Sequence, residues 1–266
     1  EAQFSWWLGH VIVVVFGTLY YFRRLFDPVS AASCYYTAFV GAFVSYVIVI
    51  YKTYGPPQMQ LAFLQRLIID ENVEYFILAF YWWSQPTIFV TLLPFIVFSL
   101  FHAMGYLRQT IIPTFFPTVA AEIRAAKANE KNTGGSATAG GTQLSLPAKA
   151  SLLLNTWYNR YYLAAFAKVA VWEVAVIETW LILGALTFQT PFLAPLFYSQ
   201  FLRLRYQLSA PTRTAFYKVR VFLDRHLLTP QVPESISSIY VKIRDFLIST
   251  AEQMNQSAPG QSASSR

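Results

Sequence analysis

Long apolar stretches bounded by polar or aromatic residues dominate the chain up to residue 202. A helix that crosses a bilayer needs about 20 predominantly apolar residues. Stretches that approach this length predict five spanning helices, near residues 4–22, 31–51, 62–83, 87–107 and 162–188. A sixth stretch, at 192–202, is too short to cross alone, and Gln189, Thr190 and Pro191 precede it. The chain is therefore expected to turn there and return as a short hairpin.

The pattern becomes amphipathic after residue 202. Two helical segments, separated by Pro230 and Pro233, each carry apolar residues on one face and charged or polar residues elsewhere. The predicted membrane-binding residues are Phe216, Val219, Leu223, Ile236, Ile239, Tyr240, Ile243, Phe246 and Leu247, with the basic residues Lys218, Arg220 and Lys242. Such helices can lie in the headgroup layer of an anionic leaflet and sense or induce curvature. Packing on the cytosolic face of the chain's own bundle is an equally weighted alternative.

Composition supports a membrane protein. Hydrophobic residues make up 55% of the 266 positions and charged residues 12%, about half the charged share of a typical soluble domain. This excludes a disordered protein and disfavours a soluble enzyme. The lone cysteine, Cys34, excludes an internal disulfide framework and a cysteine-based zinc site. The first apolar run begins at Phe4 without the features of a cleaved signal peptide, so it is expected to be a retained span.

These observations predict an all-α integral membrane protein with a multispan helical bundle of about six apolar segments and cytosolic amphipathic helices. Positive charge concentrates in the middle loop and after the last apolar stretch, which predicts that both are cytosolic, together with the amino terminus. Arg23 and Arg24 then fall on the opposite side. The predicted regions are a four-span region (1–107), a cytosolic loop with a disordered Gly/Ser centre (108–160), a membrane hairpin (161–205), basic amphipathic helices at the cytosolic membrane surface (206–254) and a disordered tail (255–266).

Ionisable side chains occur inside two predicted spans, where they are a functional hypothesis by default. This polar cluster consists of Asp70, Glu71, Glu74, Glu173 and Glu178. A proton or cation pathway could use it, with His10 or His102 as partners. The favoured alternative is that residues 62–83 form two helices, whose acids lie near an interface and cap the second helix or pair with Arg66.

A stripe of small residues at four-residue spacing, Thr37, Gly41 and Ser45, would let another helix approach the second span closely. His10 and His102 lack the nearby ligands that a metal site needs. The chain contains no His-Glu-x-x-His, Gly-x-Ser-x-Gly or phosphate-binding glycine-rich motif. We therefore expect no catalysis, no cofactor and no bound metal.

Four blocks of sequence carry a family resemblance: LIIDENVEY at 67–75, PFIVFSLFHA at 94–103, FYSQFLRLRY at 197–206 and RTAFYKVR at 213–220, followed by Pro230. Together with the order of the spans, they make the chain similar to the Transmembrane protein 33 family, which includes fungal pore membrane proteins. The likeness covers most of residues 10–250. The Gly/Ser loop at 132–142 departs from the animal members.

The resemblance implies a multispan protein of the endoplasmic reticulum and nuclear envelope, without catalysis or cofactor. It implies a role in shaping or stabilising curved membrane and in organising nuclear pores. The expected partners are anionic lipids of the cytosolic leaflet, reticulon-type membrane proteins and nuclear pore components, with a nuclear transport receptor as a further candidate and no nucleic acid. The alternative function is an ion- or proton-coupled transporter or channel that uses the polar cluster. A lipid-modifying enzyme is less favoured, because no nucleophile with a base is found.

Overall fold

A computed structural model describes residues 2–132 and 144–257 of the chain. Every regular element within these ranges is helical. The predicted disordered centre of the middle loop falls mainly on residues outside the described ranges, as do residues 258–266 of the predicted tail. The chain divides into two compact units, residues 1–169 and 170–266, which are taken separately below.

Twelve α-helices follow one another along the described residues. They are α1 (Ala2–Arg24), α2 (Pro28–Tyr54), α3 (Leu61–Ile68), α4 (Glu71–Ser84), α5 (Leu92–Tyr106), α6 (Ile112–Phe115), α7 (Val119–Asn132), α8 (Leu146–Val171), α9 (Glu178–Leu186), α10 (Leu193–Leu208), α11 (Ala210–Leu227) and α12 (Glu234–Ser257). A 3₁₀ turn (Phe89–Thr91) precedes α5, and π-helical turns follow α5 (Leu107–Ile111) and α8 (Trp172–Ile177).

Four helical stretches are long and apolar enough to cross a membrane: Ala2–Arg24, Pro28–Tyr54, Phe89–Phe115 and Leu146–Leu186. The predicted third span, 62–83, is not among them because the helix is interrupted. The Asp70 carboxylate accepts hydrogen bonds from the backbone amides of Asn72 (2.8 Å) and Val73 (3.2 Å), so a new helix begins at Glu71. The result is an eight-residue α3 and a 14-residue α4 in place of one long span.

Helices α1 and α2 pack closely at a crossing of small residues. A Cβ atom added to Gly9 would lie 2.7 Å from the carbonyl oxygen of Gly41, and one added to Gly41 would lie 2.7 Å from that of Gly9. The Ser45 hydroxyl donates to the carbonyl of Trp6 (3.0 Å), so two members of the predicted small-residue stripe face α1. The third, Thr37, donates to Ser33 within its own helix. The helix that approaches this stripe therefore belongs to the same chain.

Helix α4 runs antiparallel to α2. The Tyr54 hydroxyl at the end of α2 donates to Asp70 at the start of α4 (2.9 Å), and the Tyr36 hydroxyl near the start of α2 donates to the carbonyl of Gln85 (3.2 Å). Midway, the rings of Tyr46 and Tyr75 stack. The chain therefore travels the length of α2 in the reverse direction before α5 begins.

The predicted loop 108–160 is largely helical where it is described. The third candidate span continues through a π turn to Phe115, beyond the predicted end at 107, and α8 begins at Leu146, before the predicted start at 162. Aromatic contacts extend this packing, because the Phe101 ring meets those of Trp157, Tyr158, Tyr162 and Phe166. Residues 146–160 therefore pack on α5, and only 116–145 separate the two long helices.

The second unit begins with a hairpin of α9 and α10. The backbone amides of Gln189 and Thr190 donate to the carbonyl of Gly184. The Thr190 side chain packs so closely on Gly184 that a Cβ atom at position 184 would not fit. The chain passes through Phe188 with a positive φ of 58°. The turn lies at the polar residues that predict it, and the apolar stretch 192–202 becomes the first part of a 16-residue helix.

Candidate membrane-binding surface

Helices α11 and α12 form a hairpin that polar contacts hold together. The Tyr240 hydroxyl donates to Oδ1 of Asp224 (2.7 Å), and Nη1 of Arg244 donates to the same oxygen (3.2 Å). The Ser237 hydroxyl donates to the carbonyl of Leu227 (2.7 Å). Residues 237, 240 and 244 are three and four positions apart and so lie on one side of α12. That polar side is the one that faces α11.

A stripe of apolar side chains lies on another side of α12 and is exposed. We define the α12 stripe as Ile236, Ile239, Ile243, Phe246 and Leu247. Their exposed fractions range from 50% at Ile236 to 68% at Phe246. The stripe therefore remains accessible because polar contacts, not these side chains, join α12 to α11. Tyr240, which the sequence pattern places with the stripe, is half-buried and faces Asp224.

The predicted apolar face of α11 is partly covered. Phe216, Val219 and Leu223 are half-buried, and the Phe216 ring packs edge-on against Tyr206 of α10, with centroids 5.4 Å apart. The large apolar side chains that α11 exposes are Tyr217, Val221 and Phe222. Sequence reasoning missed them because α11 carries apolar residues on two sides, and periodicity alone does not tell which side packs.

Positive charge accompanies the exposed apolar surface. The predicted basic residues Lys218, Arg220 and Lys242 are all exposed. From residue 193 onward the chain has nine Lys and Arg against four Asp and Glu, which accounts for a net charge of +5 out of +7. An anionic leaflet attracts such a segment by about 1 kcal/mol for each basic residue near its surface.

The polar contact between α11 and α12 is intact at neutral pH. Hydrogen bonds, first from Tyr240 and then from Arg244, lower the pKa of Asp224, so its carboxylate is ionised. Burial and the bond to Asp224 raise the pKa of Tyr240 to about 12, so its phenol stays protonated and can donate. The hairpin that presents the stripe is therefore maintained over the physiological range.

The corner between α10 and α11 is also fixed. The Ser209 hydroxyl caps α11 by accepting from the amide of Thr212 (3.3 Å). Nη1 of Arg213 donates to the carbonyls of Tyr206 (3.2 Å) and Gln207 (3.0 Å) at the end of α10. These contacts connect the two sequence blocks, 197–206 and 213–220, that carry the family resemblance.

The predicted polar cluster divides between the two units. In the first, Asp70 caps α4, Glu71 is exposed and Glu74 is buried. In the second, Glu173 is buried and Glu178 accepts a hydrogen bond from Ser199. Among the described residues, no group of three or more His, Cys, Asp or Glu side chains could hold a metal ion.

The two membrane histidines lie together in the first unit. The rings of His10 and His102 stack with centroids 4.8 Å apart, and Nδ1 of His10 is 3.0 Å from the Ser99 hydroxyl. Trp6 packs edge-on against both rings. In the sequence each histidine is isolated, because nothing in a single sequence shows that α1 and α5 are neighbours.

The family model described as Transmembrane protein 33/Nucleoporin POM33 matches residues 1–253, which include both units up to the end of the α12 stripe. The chain belongs to this family. It is 28% identical to Tetra-spanning protein 1 of Schizosaccharomyces pombe, over 93% of this chain and 83% of that protein. It is also 28% identical to Nucleoporin POM33 of Chaetomium thermophilum, over 91% of this chain and 83% of that protein.

A further relative is the Pore and endoplasmic reticulum protein of 33 kDa of Saccharomyces cerevisiae, 26% identical over 45% of each chain. No solved structure matches this chain. These relatives carry the names of membrane and pore proteins. The transporter alternative gains no support from them.

Proposed function

We propose that this chain is a non-enzymatic, multi-pass protein of the endoplasmic reticulum and nuclear envelope that binds and stabilises curved membrane through the α12 stripe and supports nuclear pore organisation. The compartment and the pore role rest on the names of its relatives. The single observation that carries the membrane role is the exposed apolar stripe beside exposed lysine and arginine residues.

The energetic case rests on the size of the exposed side chains. Full burial of one large aliphatic or aromatic side chain contributes about 1.5–3 kcal/mol. The five side chains of the stripe are half to two-thirds exposed, so insertion into the acyl boundary gains about 1 kcal/mol for each of them. Electrostatic attraction of the basic residues adds to this. A helix bound in this way occupies headgroup area in one leaflet and so favours curved membrane.

The test uses the full chain in giant vesicles from which thin membrane tubes are pulled. The measured quantity is the density of protein on the curved tube relative to the flat membrane. The intact chain should be enriched on the tube. The double variant Ile239→Asp/Ile243→Asp should lose that enrichment, as should truncation at residue 209.

The matched control is Ser238→Asp/Ser249→Asp, which adds the same charge at two exposed positions outside the stripe. It should keep the enrichment. Equal density on tube and flat membrane for the intact chain, or full enrichment of the Ile239→Asp/Ile243→Asp variant, would refute the membrane role of the stripe.

We also propose that α4 crosses the membrane, which makes residues 1–107 a four-span region. The supporting contacts are Tyr54 with Asp70 at one end of α2 and Tyr36 with Gln85 at the other. Helix α5 starts near the end of α1, because the Tyr21 hydroxyl donates to the carbonyl of Phe89. Its end lies near the start of α1, since Trp7 Nε1 donates to the carbonyl of Ala103 (3.1 Å).

This crossing is short, since 14 residues of α-helix span about 21 Å against a hydrocarbon core of about 30 Å. Single cysteines at Gln58→Cys and Gln85→Cys, in a Cys34→Ala background, should react with impermeant thiol reagents from opposite sides of the membrane. Labelling of both from one side would exclude the crossing.

The proposed protein partners are reticulon-type membrane proteins, nuclear pore components and a nuclear transport receptor. The exposed apolar and basic residues of α11, including Tyr217 and Phe222, offer a surface for them outside the α12 stripe. Photo-crosslinking from position 217 in the full chain, compared with crosslinking from the half-buried position 223, should capture such partners preferentially at 217. Equal capture from both positions would exclude this surface.

A further inference from the structure

Arg108 lies within the third candidate span, seven residues before its end at Phe115. It lies in the π turn Leu107–Ile111, and π turns within helices occur frequently at functional sites. Its Nη1 donates to Oδ1 of Asn155 (3.2 Å) and of Asn159 (3.3 Å), both on α8. Its guanidinium carbon lies 4.2 Å from the centroid of the Tyr158 ring. The side chain is therefore positioned from three directions within the first unit.

The positive charge of Arg108 has no carboxylate partner among the described residues, and its acceptors are two neutral amides. The Nε atom is buried and makes no hydrogen bond. Both observed bonds use Nη1, so Nη2 is the guanidinium nitrogen left to donate to an incoming anion. A hydrogen bond from a guanidinium to a phosphate is charge-assisted and therefore strong.

Asn155 is itself oriented by its surroundings. Its Nδ2 donates to the carbonyl of the buried Ser151 (2.8 Å), which turns Oδ1 toward Arg108. Asn159, the other acceptor for Arg108, is exposed. The orientation of Asn155 is thus fixed by contacts within α8.

The aromatic residues around Arg108 are of the kinds found at the level of lipid headgroups. The predominantly apolar segment 92–107 precedes it directly. Trp7 donates to the carbonyl of Ala103, and its ring packs against Tyr106. Tryptophan and tyrosine are enriched at the membrane–water interface. A guanidinium beside such residues is suited to contact the phosphates of the adjoining leaflet.

We propose that Arg108, supported by Asn155 and Tyr158 and bordered by Asn159, binds the phosphate of an anionic phospholipid headgroup. This site is independent of the α12 stripe and of any curvature preference. Basic pockets between membrane helices are a known class of lipid-headgroup site. The competing explanation is that Arg108 only clamps α8 to the third candidate span.

The test measures thermal unfolding of the delipidated full chain in detergent. The probes are short-chain phosphatidic acid, phosphatidylcholine of the same chain length and inorganic phosphate. Phosphatidic acid should raise the melting temperature in a saturable manner, and phosphatidylcholine should do so more weakly. Arg108→Gln should weaken the apparent affinity for phosphatidic acid about tenfold, since it removes a charge-assisted hydrogen bond to the phosphate. A response to inorganic phosphate as strong as to the lipid would overturn the lipid assignment.

A control variant tests whether the effect is specific to Arg108. Arg160→Gln removes a neighbouring exposed arginine of α8 and should leave lipid binding unchanged. If Arg108→Gln lowers the melting temperature without lipid while the shift with phosphatidic acid is unchanged, the residue is a clamp and the proposal is wrong.

Discussion

Two pairs of adjacent antiparallel helices use opposite means of association. In α1 and α2, glycine backbones touch at Gly9 and Gly41, and a serine hydroxyl bonds a backbone carbonyl across the crossing. In α11 and α12, the side chains of Asp224, Tyr240 and Arg244 join helices whose apolar residues point elsewhere. The first pair buries small residues, and the second leaves large apolar residues exposed.

Apolar periodicity therefore has two meanings in this chain. Inside a membrane, lipid is as apolar as leucine, so close packing of small residues drives association and large side chains face lipid. At the membrane surface, large apolar side chains gain most from insertion into the bilayer, and polar contacts can position the helix that carries them. The same residue types therefore serve packing in one region and membrane contact in the other.

The largest expected effect comes from filling the α1–α2 crossing. Gly9→Ala places a Cβ atom 2.3 Å from the Ser45 hydroxyl and 2.7 Å from a backbone carbonyl oxygen. The free energy of unfolding should fall by about 2–3 kcal/mol, measured by denaturant titration in detergent. Gly105→Ala is the matched control, because its Cβ atom would lie 3.7 Å from the nearest Tyr158 atoms. Equal stability of the two variants would mean that the crossing is not tightly packed.

The next effect concerns the interruption at Asp70. Asp70→Ala removes the cap of α4 and the acceptor for Tyr54, and should cost about 1–2 kcal/mol of unfolding free energy in the same titration. Gln60→Ala, at a helix start where the side chain makes no capping bond, should cost little. An unchanged stability of Asp70→Ala would argue that α3 and α4 are one continuous helix.

A smaller effect is expected at the α11–α12 contact. Tyr240→Phe removes one hydrogen bond and should destabilise the hairpin by about 1 kcal/mol, detected as faster amide exchange across residues 234–249. The control is Tyr217→Phe at an exposed position of α11, which should not change the amide exchange of residues 234–249.

The pH dependence of this contact has a defined sign. The folded pKa of Tyr240, about 12, exceeds the unfolded value of about 10. Its contribution is therefore complete below pH 10 and is lost as the pH rises toward 12. The pKa of Asp224 is lowered, so its contribution is complete above pH 4 and is lost on further acidification. Protection from exchange, relative to the intrinsic base-catalysed rate, that stays constant above pH 10 in the wild-type chain would contradict the role of Tyr240.

The smallest effect is expected within the α12 stripe. Ile243→Ala should change the unfolding free energy by less than about 0.5 kcal/mol in detergent, because the side chain is exposed. Leu181→Ala, at a fully buried position, should cost about 2–5 kcal/mol. A cost at Ile243 that approaches the cost at Leu181 would show that the stripe is packed against protein.

The sequence alone was enough to predict helices, the turn before Pro191 and the family. Two helices over residues 62–83, with acids that cap the second helix, were the favoured interpretation of the sequence, and the structure has this division. The sequence did not show that Asp70 is the acid that forms the cap. It placed Tyr240 with the stripe, because 3.6-residue periodicity assigns a face but not the neighbour that the face meets. It did not identify Arg108, since its partners on α8 are 47 and 51 positions away along the chain.

Composition and local pattern determined by themselves that this protein is helical, apolar and basic toward its carboxyl end, because these properties follow from residue type and from spacing along one helix. Tertiary structure alone decided which faces pack. Small residues meet at Gly9 and Gly41, polar residues join α11 to α12, and the isoleucines of α12 remain exposed. The physical reason is that packing depends on contacts between residues far apart in sequence, whereas periodicity reports only neighbours on one helix.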